Sequence, residues 1–394
     1  MGLRGPCPVS NILAEKLITG IRAVCREDGA LARPSAQLVV IAVLCAALAG
    51  SLAYVGYLLS QPPVVVEHKR LTIVDDAGRE VELPVPVERV ISLESPVTEL
   101  IYALGAQDKL VAVDKYSIFP PGVQEEKPVV GSAWSPDMER IVELAPDVVF
   151  TWPSEKTLAE LEEKGIPTVV FYPHTLGGIK EDILLLGRLL GVPERAREIV
   201  AFMDEKLAAI TERTADMALE NRTRVYIEFY KPGQTIGAGT FTNEFILMAG
   251  GVNIAAALPP KFTMVSDEFV VEADPEVIVC VVNPKKPYTT PEEVAARPGW
   301  ETITAVRESR IYTISYELVN WNPRLVLCVM QLAKWFHPEL FADLDLEAEQ
   351  EELYQSIYGL SAGTAASCQL PSWASWAPGL MAMPAPLAEE EGFI

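Results

Sequence analysis

The side chains with the clearest capacity for a chemical role are two glutamates, Glu139 and Glu268, at equivalent positions of an internal repeat. The segments SPDMERIVELAPDVVF (135–150) and SDEFVVEADPEVIVC (266–280) align with a constant offset of 129 residues. This offset relates Glu139 to Glu268 and Pro146 to Pro275. Each copy predicts a helix that begins after a serine, a proline that ends it, and a buried strand. Each carboxylate could simply offset a helix dipole, worth ~0.3–1 kcal/mol, or the pair could bind a partner that carries two basic residues.

Other chemistries lack the residues that they need. The chain has three His and six scattered Cys, without a CxxC or HxxxH pair, which excludes zinc-finger and zincin sites. Neither GxGxxG nor GxxxxGK[ST] occurs, so dinucleotide and P-loop sites are not indicated. An enzyme would need a base or nucleophile in a cleft, and the candidates Glu94, His174 and Glu228 lie in no recognised motif.

The composition is that of an acidic, globular chain. Its 394 residues suggest two or three domains, and 49% apolar residues can form more than one core. The net charge of −22 argues against a nucleic-acid partner, because contact with phosphates requires a basic face. Cys280 and Cys328 lie in apolar segments and are expected to be buried free thiols.

An uncharged run of 22 residues at 38–59 is long enough to cross a bilayer as a helix. The preceding segment 1–37 carries five basic and three acidic residues, so the positive-inside rule predicts a single-pass anchor with 1–37 in the cytoplasm and the rest outside. A cleaved signal peptide is the alternative, since the sequence ALA at 47–49 fits a cleavage site. Either way the folded part is exported, after a linker at 60–70.

Beyond the linker, short apolar strands alternate with amphipathic helices, the pattern of a mainly parallel α/β sheet covered on both faces. The alternation stops once, where no Gly or Pro interrupts the chain from Pro193 to about Leu219 and apolar residues follow one helical face. This pattern predicts two α/β lobes joined by a single long rigid helix. The predicted ranges are an N-terminal lobe at 71–191, a connecting helix at 192–221, a C-terminal lobe at 222–360 and a disordered tail at 361–394.

Several stretches of the two predicted lobes, taken in their order along the chain, resemble the periplasmic substrate-binding proteins of ABC importers for iron-siderophores, haem and cobalamin. The resemblance covers Leu71 to Leu360 and rests on DDAGREVELPVPVERVISLESPVTELIYALG, the two repeat copies, the long helix, TFTNEFILMAGGVNIAA and WNPRLVLCVMQLAKWFHPELF. It implies a chain that is not an enzyme and that holds a metal chelate between its lobes, with no cofactor or metal site of its own. It also implies that Glu139 and Glu268 pair with arginines of an ABC permease, and we expect a monomer.

In this family the loops after the strands line the cleft, often with aromatic side chains, and the matching loops here hold seven candidates. Aromatic faces suit a large flat or catecholate-bearing chelate, and an arginine suits its negative charge. Any single aromatic could instead pack in the core, and His174 could touch the cleft, ligate iron or lie on the surface. The predicted ligand-binding residues are Tyr116, Trp134, Trp152, Phe241, Phe262, Trp321 and Arg324.

The sequence therefore predicts a membrane-anchored extracytoplasmic receptor that captures a metal chelate and delivers it to an ABC permease. The alternative is a two-lobed chelatase- or transferase-like enzyme that acts in the same cleft. The uninterrupted helix predicts small lobe movements on binding. Sequence alone does not distinguish iron-siderophore, haem and cobalamin, and the external sequon at Asn221 could carry a glycan.

Overall fold

The computed structural model describes residues 69–283 and 290–361, together with Ser51. The predicted cytoplasmic segment, the anchor at 38–59 and nearly all of the linker and the tail lie outside the described residues. Within the described part, no helix combines the length and the hydropathy needed to cross a membrane. The anchor therefore stays a prediction.

The N-terminal lobe opens with an antiparallel hairpin. The Asp75 carboxylate closes its turn by accepting hydrogen bonds from the backbone N–H groups of Ala77 and Arg79. The strands of this lobe are β1 (Lys69–Val74), β2 (Glu80–Val85), β3 (Val90–Ser92), β4 (Leu110–Val113), β5 (Gly131–Ser132), β6 (Ser135–Pro136), β7 (Val148–Thr151) and β8 (Thr168–Val170). Four of them form a parallel sheet in the order β4-β3-β7-β8.

Helices cover this sheet, and two of them begin at hydroxyl caps. The Ser154 and Thr175 hydroxyls each accept a hydrogen bond from the backbone N–H three residues on, which satisfies one of the unpaired donors of a helix start. The helices of the N-terminal lobe are α1 (Ser95–Ala103), α2 (Val123–Glu126), α3 (Met138–Leu144), α4 (Glu155–Glu163) and α5 (Leu176–Leu189).

The connecting helix α6 spans Pro193–Thr214, 22 residues or about 33 Å. It begins at a proline, which is tolerated in a first turn because no N–H is needed there. The helix is shorter than the predicted range 192–221. The Arg222 guanidinium donates hydrogen bonds to the carbonyl oxygens of Thr214 and Met217, which occupies acceptors at the helix end. The buried face of α6 consists of Ala196, Ile199, Met203, Leu207, Ile210 and Thr214.

The C-terminal lobe repeats the architecture. Its strands are β9 (Thr223–Phe229), β10 (Gln234–Ile236), β11 (Gly251–Asn253), β12 (Phe262–Met264), β13 (Val277–Val282) and β14 (Ile311–Ser315). The parallel sheet has the order β11-β9-β13-β14. The helices are α7 (Phe241–Met248), α8 (Asp267–Ala273), α9 (Pro291–Ala295), α10 (Thr304–Arg307), α11 (Leu325–Phe336) and α12 (Leu346–Leu353).

One face of each sheet and the buried face of α6 share a continuous hydrophobic core, which includes Phe150 of one lobe and Val279 of the other. The opposite faces of the sheets form two smaller clusters. Helix α3 enters one of these clusters through Ile141, and α8 enters the other through Val270. The two repeat copies thus occupy the same place in their lobes, on the sheet face away from the shared core.

The last part of the predicted C-terminal lobe also packs on the N-terminal lobe. The π-helical turn Tyr354–Tyr358 follows α12, and the Tyr358 hydroxyl donates a hydrogen bond to Glu99 of α1. The Tyr358 ring lies 4.9 Å from the Phe119 ring, between centroids. Arg195 of α6 donates hydrogen bonds to two carbonyl oxygens of the same turn. The lobes are therefore joined by α6 and braced a second time by this segment.

Candidate functional site

The internal repeat forms the same local structure in both lobes. Helices α3 and α8 have seven residues each. The side chains of Asp137 and Ser266 cap them by accepting from the backbone N–H three residues on, at 3.0 Å and 3.3 Å. Both helices end at a residue in the left-handed region, Ala145 (φ 44°) and Asp274 (φ 42°). The helix, proline and strand predicted for each copy are present. The predicted serine start is confirmed only in the second copy, because in the first copy Asp137 caps the helix and Ser135 lies in β6.

Glu139 and Glu268 lie in the first turns of α3 and α8, and both side chains are exposed. Among the residues that the structure describes, neither is held in an ion pair. A hydrogen bond from the Ser266 side chain lowers the pKa of Glu268, so this carboxylate is ionised at neutral pH. Two equivalent exposed acids, one on each lobe, can contact an external partner while also offsetting their helix dipoles.

A row of aromatic rings lies at the carboxyl end of the N-terminal sheet. Trp152 directly follows β7, and Tyr172 follows β8 after one intervening residue. The centroid distances are 6.0 Å from Trp134 to Trp152, 4.4 Å from Trp152 to Tyr172 and 4.6 Å from Tyr172 to His174. The structure thus brings together the predicted Trp134 and Trp152. Sequence reasoning missed Tyr172, although its place just after a buried strand was an available signal.

A second group of rings lies at the carboxyl end of β9 in the other lobe. Phe262, predicted as a ligand contact, is 47% exposed, and its ring lies 5.1 Å from Phe229 and 5.8 Å from Tyr230. Tyr230 directly follows β9 and was not predicted. In open α/β sheets ligands bind beyond the carboxyl ends of the strands. Both lobes therefore offer apolar ring faces where a ligand is expected.

Arg324 has a different partner from the one predicted. Its Nε and Nη2 atoms donate hydrogen bonds to the Glu99 carboxylate of α1, at 2.8 Å and 2.6 Å, and its guanidinium lies 4.2 Å from the centre of the Phe119 ring. Only 2% of Arg324 is exposed. Arg324 therefore forms a buried ion pair between the lobes, and its role as a ligand contact stays a prediction.

The crevice around this ion pair is narrow. It is lined by Tyr116 from one lobe and by Tyr316 and Glu317 from the other, and it holds about 10 Å³. That volume is at the lower limit for a single water molecule. Tyr116 therefore lies at the lobe boundary, as predicted, but in a part of it that is already filled by side chains.

Two more predicted ligand residues lie at the lobe junction. Trp321 is 2% exposed, and its ring lies 6.2 Å from that of Phe171 in the other lobe. Phe241, the first residue of α7, is half-buried and packs 5.5 Å from Phe245. Close to it, the Glu244 carboxylate of α7 accepts a hydrogen bond from the first backbone N–H of α5. Their role in ligand binding stays a prediction.

Buried acids lie behind the strand ends of the N-terminal lobe. Glu94 is 5% exposed, and within the described chain neither of its carboxylate oxygens has a hydrogen-bond partner. Burial, followed by repulsion from Asp114, raises the pKa of Glu94 well above its usual value. Burial also raises the pKa of Asp114 to about 6, and burial together with Asp76 raises the pKa of Asp182 to about 8. This cluster is protonated more readily than ordinary surface acids.

The raised pKa of Asp182 predicts a stability that falls with rising pH. The folded chain holds this proton up to about pH 8, whereas the unfolded chain releases it near pH 4. Between these values the free energy of unfolding should fall by about 1.4 kcal/mol per pH unit on account of this group. Asp182→Asn should remove that slope, so the variant should gain stability over the wild type from pH 5 to pH 8 in urea unfolding.

Glu163→Gln is the control, because Glu163 is an exposed acid at the end of α4 that does not contribute to the raised pKa of Asp182. It should leave the pH dependence of unfolding unchanged. Asp76, Glu181 and Glu94 are close enough to Asp182 to interact with its charge. All three are present in both proteins, so the difference between the curves of Asp182→Asn and wild type reports the contribution of Asp182. Parallel curves for Asp182→Asn and wild type would show that the Asp182 carboxyl has an ordinary pKa.

Of the three candidate enzyme residues, Glu228 is held in structural contacts. The Glu228 carboxylate is fully buried and accepts two hydrogen bonds from Arg297, one from the Tyr226 hydroxyl (3.0 Å) and one from the Gly233 N–H (2.8 Å). Across residues 69–283 and 290–361, no three His, Cys, Asp or Glu side chains are grouped so as to hold a metal ion. The expectation of buried free thiols at Cys280 and Cys328 is confirmed.

Comparison with known proteins agrees with this architecture. The family model described as periplasmic binding protein matches residues 90–318. The uncharacterised ABC transporter substrate-binding lipoprotein YvrC of Bacillus subtilis is 27% identical over 282 residues, covering 69% of this chain and 87% of that protein. The cobalamin-binding protein of Halobacterium salinarum is 28% identical over 316 residues, covering 76% and 83%.

Among solved structures, the molybdate-bound periplasmic binding protein MolA of Haemophilus influenzae superposes with a TM-score of 0.65 at 25% identity. The alignment covers 74% of this chain and 98% of MolA. These relatives bind solutes for transport, and the match to the family model spans more than half of the chain. The protein therefore belongs to the periplasmic binding protein family, as an ABC-transporter substrate-binding protein and not as an enzyme.

Proposed function

We propose that the protein captures a metal chelate between its lobes outside the cytoplasm and delivers it to an ABC permease. The observation that carries this proposal is the pair of aromatic groups at the strand carboxyl ends, Trp134, Trp152 and Tyr172 on one lobe and Tyr230 and Phe262 on the other. Haem and corrinoid chelates present broad apolar faces against which such rings pack. The cobalamin-binding relative supports the same ligand class.

Charge favours a neutral or cationic ligand over an oxyanion such as the molybdate of MolA. Glu94 and Asp114 follow β3 and β4 closely, and Arg324 is already paired with Glu99. The pKa of Asp114 is raised by burial only to about 6, so this carboxylate is mostly ionised at neutral pH and would repel an anion bound beside it. A cobalamin, whose periphery carries uncharged amides, suits this setting better.

Delivery is proposed to use Glu139 and Glu268 as contacts for arginines of the permease. Both carboxylates are exposed, and each lies in the first turn of a repeat helix. With one contact on each lobe, the permease would bind both lobes at the same time. The bracing by α6 and by the turn Tyr354–Tyr358 supports small lobe movements when ligand binds.

Attachment to the membrane is proposed to use residues 38–59. An anchored receptor reaches its permease at a high effective concentration because it diffuses only in the plane of the membrane. The Bacillus relative is named a lipoprotein, so membrane attachment by another means is found in the family. If the anchor is not cleaved, protein recovered from membranes should retain residues 1–37. Measurement of its intact mass tests this.

The test of ligand binding uses the full-length protein in detergent and four probes: cobalamin, haem, a ferric catecholate and molybdate. We expect saturable quenching of tryptophan fluorescence by cobalamin, because Trp134 and Trp152 lie in the proposed site. Trp152→Ala should weaken cobalamin binding about ten-fold, because the variant loses a well-packed aromatic contact with the ligand.

Trp335→Ala is the control for this variant. Trp335 stacks on Tyr312, at 4.5 Å between centroids, in a place remote from the strand carboxyl ends. It should keep the wild-type dissociation constant. The proposal fails if none of the four probes binds saturably, or if turnover of a bound chelate is detected.

A further inference from the structure

Two arginines hold the repeat helices in a matched way. In the N-terminal lobe, Arg89 precedes β3 and its guanidinium donates hydrogen bonds to the carbonyl oxygens of Leu144 and Ala145, at the end of α3; the Nε contact to Ala145 measures 3.1 Å. The Asp147 carboxylate accepts a hydrogen bond from the Arg89 backbone N–H at 2.9 Å, and the Asp147 N–H donates to the Arg89 carbonyl at 2.8 Å. The end of α3 is therefore tied to the start of β3.

The C-terminal lobe repeats this arrangement on α8. The Nε of Arg224, in β9, donates to the carbonyl oxygen of Asp274 at 3.0 Å. The Glu276 carboxylate accepts from the Arg224 backbone N–H at 2.9 Å, and the Glu276 N–H donates to the Arg224 carbonyl at 2.8 Å. Asp147 and Glu276 are separated by the offset of the repeat, so the acid partners are equivalent too.

These contacts matter because the helices are short. Seven residues make two turns, and isolated helices of this length do not persist in water. Each helix buries one side chain, Ile141 in α3 and Val270 in α8. The carbonyl groups of a last helical turn lack intrahelical partners, and a cation there complements the helix dipole. The guanidinium groups supply both the donors and the charge.

We propose that Arg89 and Arg224 are positioning residues that fix the orientation of α3 and α8, and so the placement of Glu139 and Glu268 against the permease. This inference rests on the proposed docking role of the two glutamates. Because each arginine contacts the carboxyl end of its helix and the glutamate lies in the first turn, the arginines act through the helix and do not touch the partner. Loss of either should loosen one helix and leave the ligand site intact.

The direct test is amide hydrogen exchange of the full-length variants Arg89→Met and Arg224→Met. Arg89→Met should speed exchange in residues 138–144 about five-fold and leave 267–273 unchanged, and Arg224→Met should do the reverse. Arg140→Met is the control, because Arg140 lies on α3 itself and forms only an exposed pair with Glu143. That control should leave exchange in both helices at the wild-type rate.

The functional arm compares cobalamin affinity with cobalamin uptake by cells that carry each variant as their only copy. Arg89→Met combined with Arg224→Met should keep the dissociation constant while lowering uptake several-fold, and lysine at both positions should restore part of the uptake. Unchanged exchange in either helix, or loosened helices with normal uptake, would overturn the positioning role. Normal uptake in a variant that lacks both glutamate charges would instead overturn the docking role itself.

Discussion

Replacing Glu139 and Glu268 together by arginine is expected to abolish cobalamin uptake while leaving the dissociation constant for cobalamin within about two-fold of wild type. The two carboxylates are exposed and lie outside the aromatic groups of the proposed ligand site. A permease that presents arginines would meet like charge at both contacts, which costs several kcal/mol in a protein interface. The measurements are equilibrium binding of the purified full-length variant and uptake of radiolabelled cobalamin by cells.

The repeat supplies a matched control for this double variant. Glu143 and Glu272 lie on the same two helices, are again related by the repeat offset, and are exposed. Replacing these two by arginine changes the net charge equally, but in the later half of each helix. This control should keep most of the uptake. Equal loss of uptake in both double variants would show a general charge effect, and loss of cobalamin affinity would place Glu139 and Glu268 in the ligand site.

Glu99→Ala should lower the free energy of unfolding by about 3–5 kcal/mol, because it leaves the Arg324 guanidinium buried without its bidentate partner. Glu99 and Arg324 side chains are 3% and 2% exposed, so water cannot solvate the charge that remains. The second acid near Arg324, Glu317, lies 3.7 Å from Nη1 and is too distant for a good hydrogen bond. Urea unfolding of the full-length protein measures this loss.

Two comparisons separate loss of the ion pair from loss of packing. Glu88→Ala removes an exposed pair with Lys109 and should cost less than about 1 kcal/mol. Glu99→Met with Arg324→Met should recover much of the stability, since apolar side chains of similar volume can replace a buried ion pair. A loss below 1 kcal/mol in Glu99→Ala would mean that the lobes do not depend on this contact.

Much of the architecture could be predicted from the sequence because its signals are local. The caps at Asp137 and Ser266 and the prolines at Pro146 and Pro275 lie within a few residues of the helices and strands that they delimit. Strand and helix periods likewise depend on neighbours along the chain. The repeat, the two lobes and the existence of α6 were therefore predictable, while the end of α6 at Thr214 was not predicted.

The proposed ligand site was only partly predictable. Trp134 and Trp152 were predicted through the resemblance to the family, but Tyr172 and Tyr230, which lie beside the predicted rings, were not. Their proximity depends on the order β4-β3-β7-β8 and on the pairing of β12 with β10, which bring together residues far apart in sequence. Residue propensities and spacing along the chain do not specify which strand ends become neighbours in the sheet.

Sequence by itself determined the kinds of elements, the duplicated unit and the two acids at its helix starts. Only the tertiary structure decided what each charged side chain meets. Arg324 was predicted as a contact for an anionic ligand, and in the structure its guanidinium meets Glu99, 225 residues away. The chemistry of the guanidinium is the same in both cases. Whether its anion comes from a ligand or from the protein is set by long-range packing of the lobes, which makes one carboxylate available and excludes water from it.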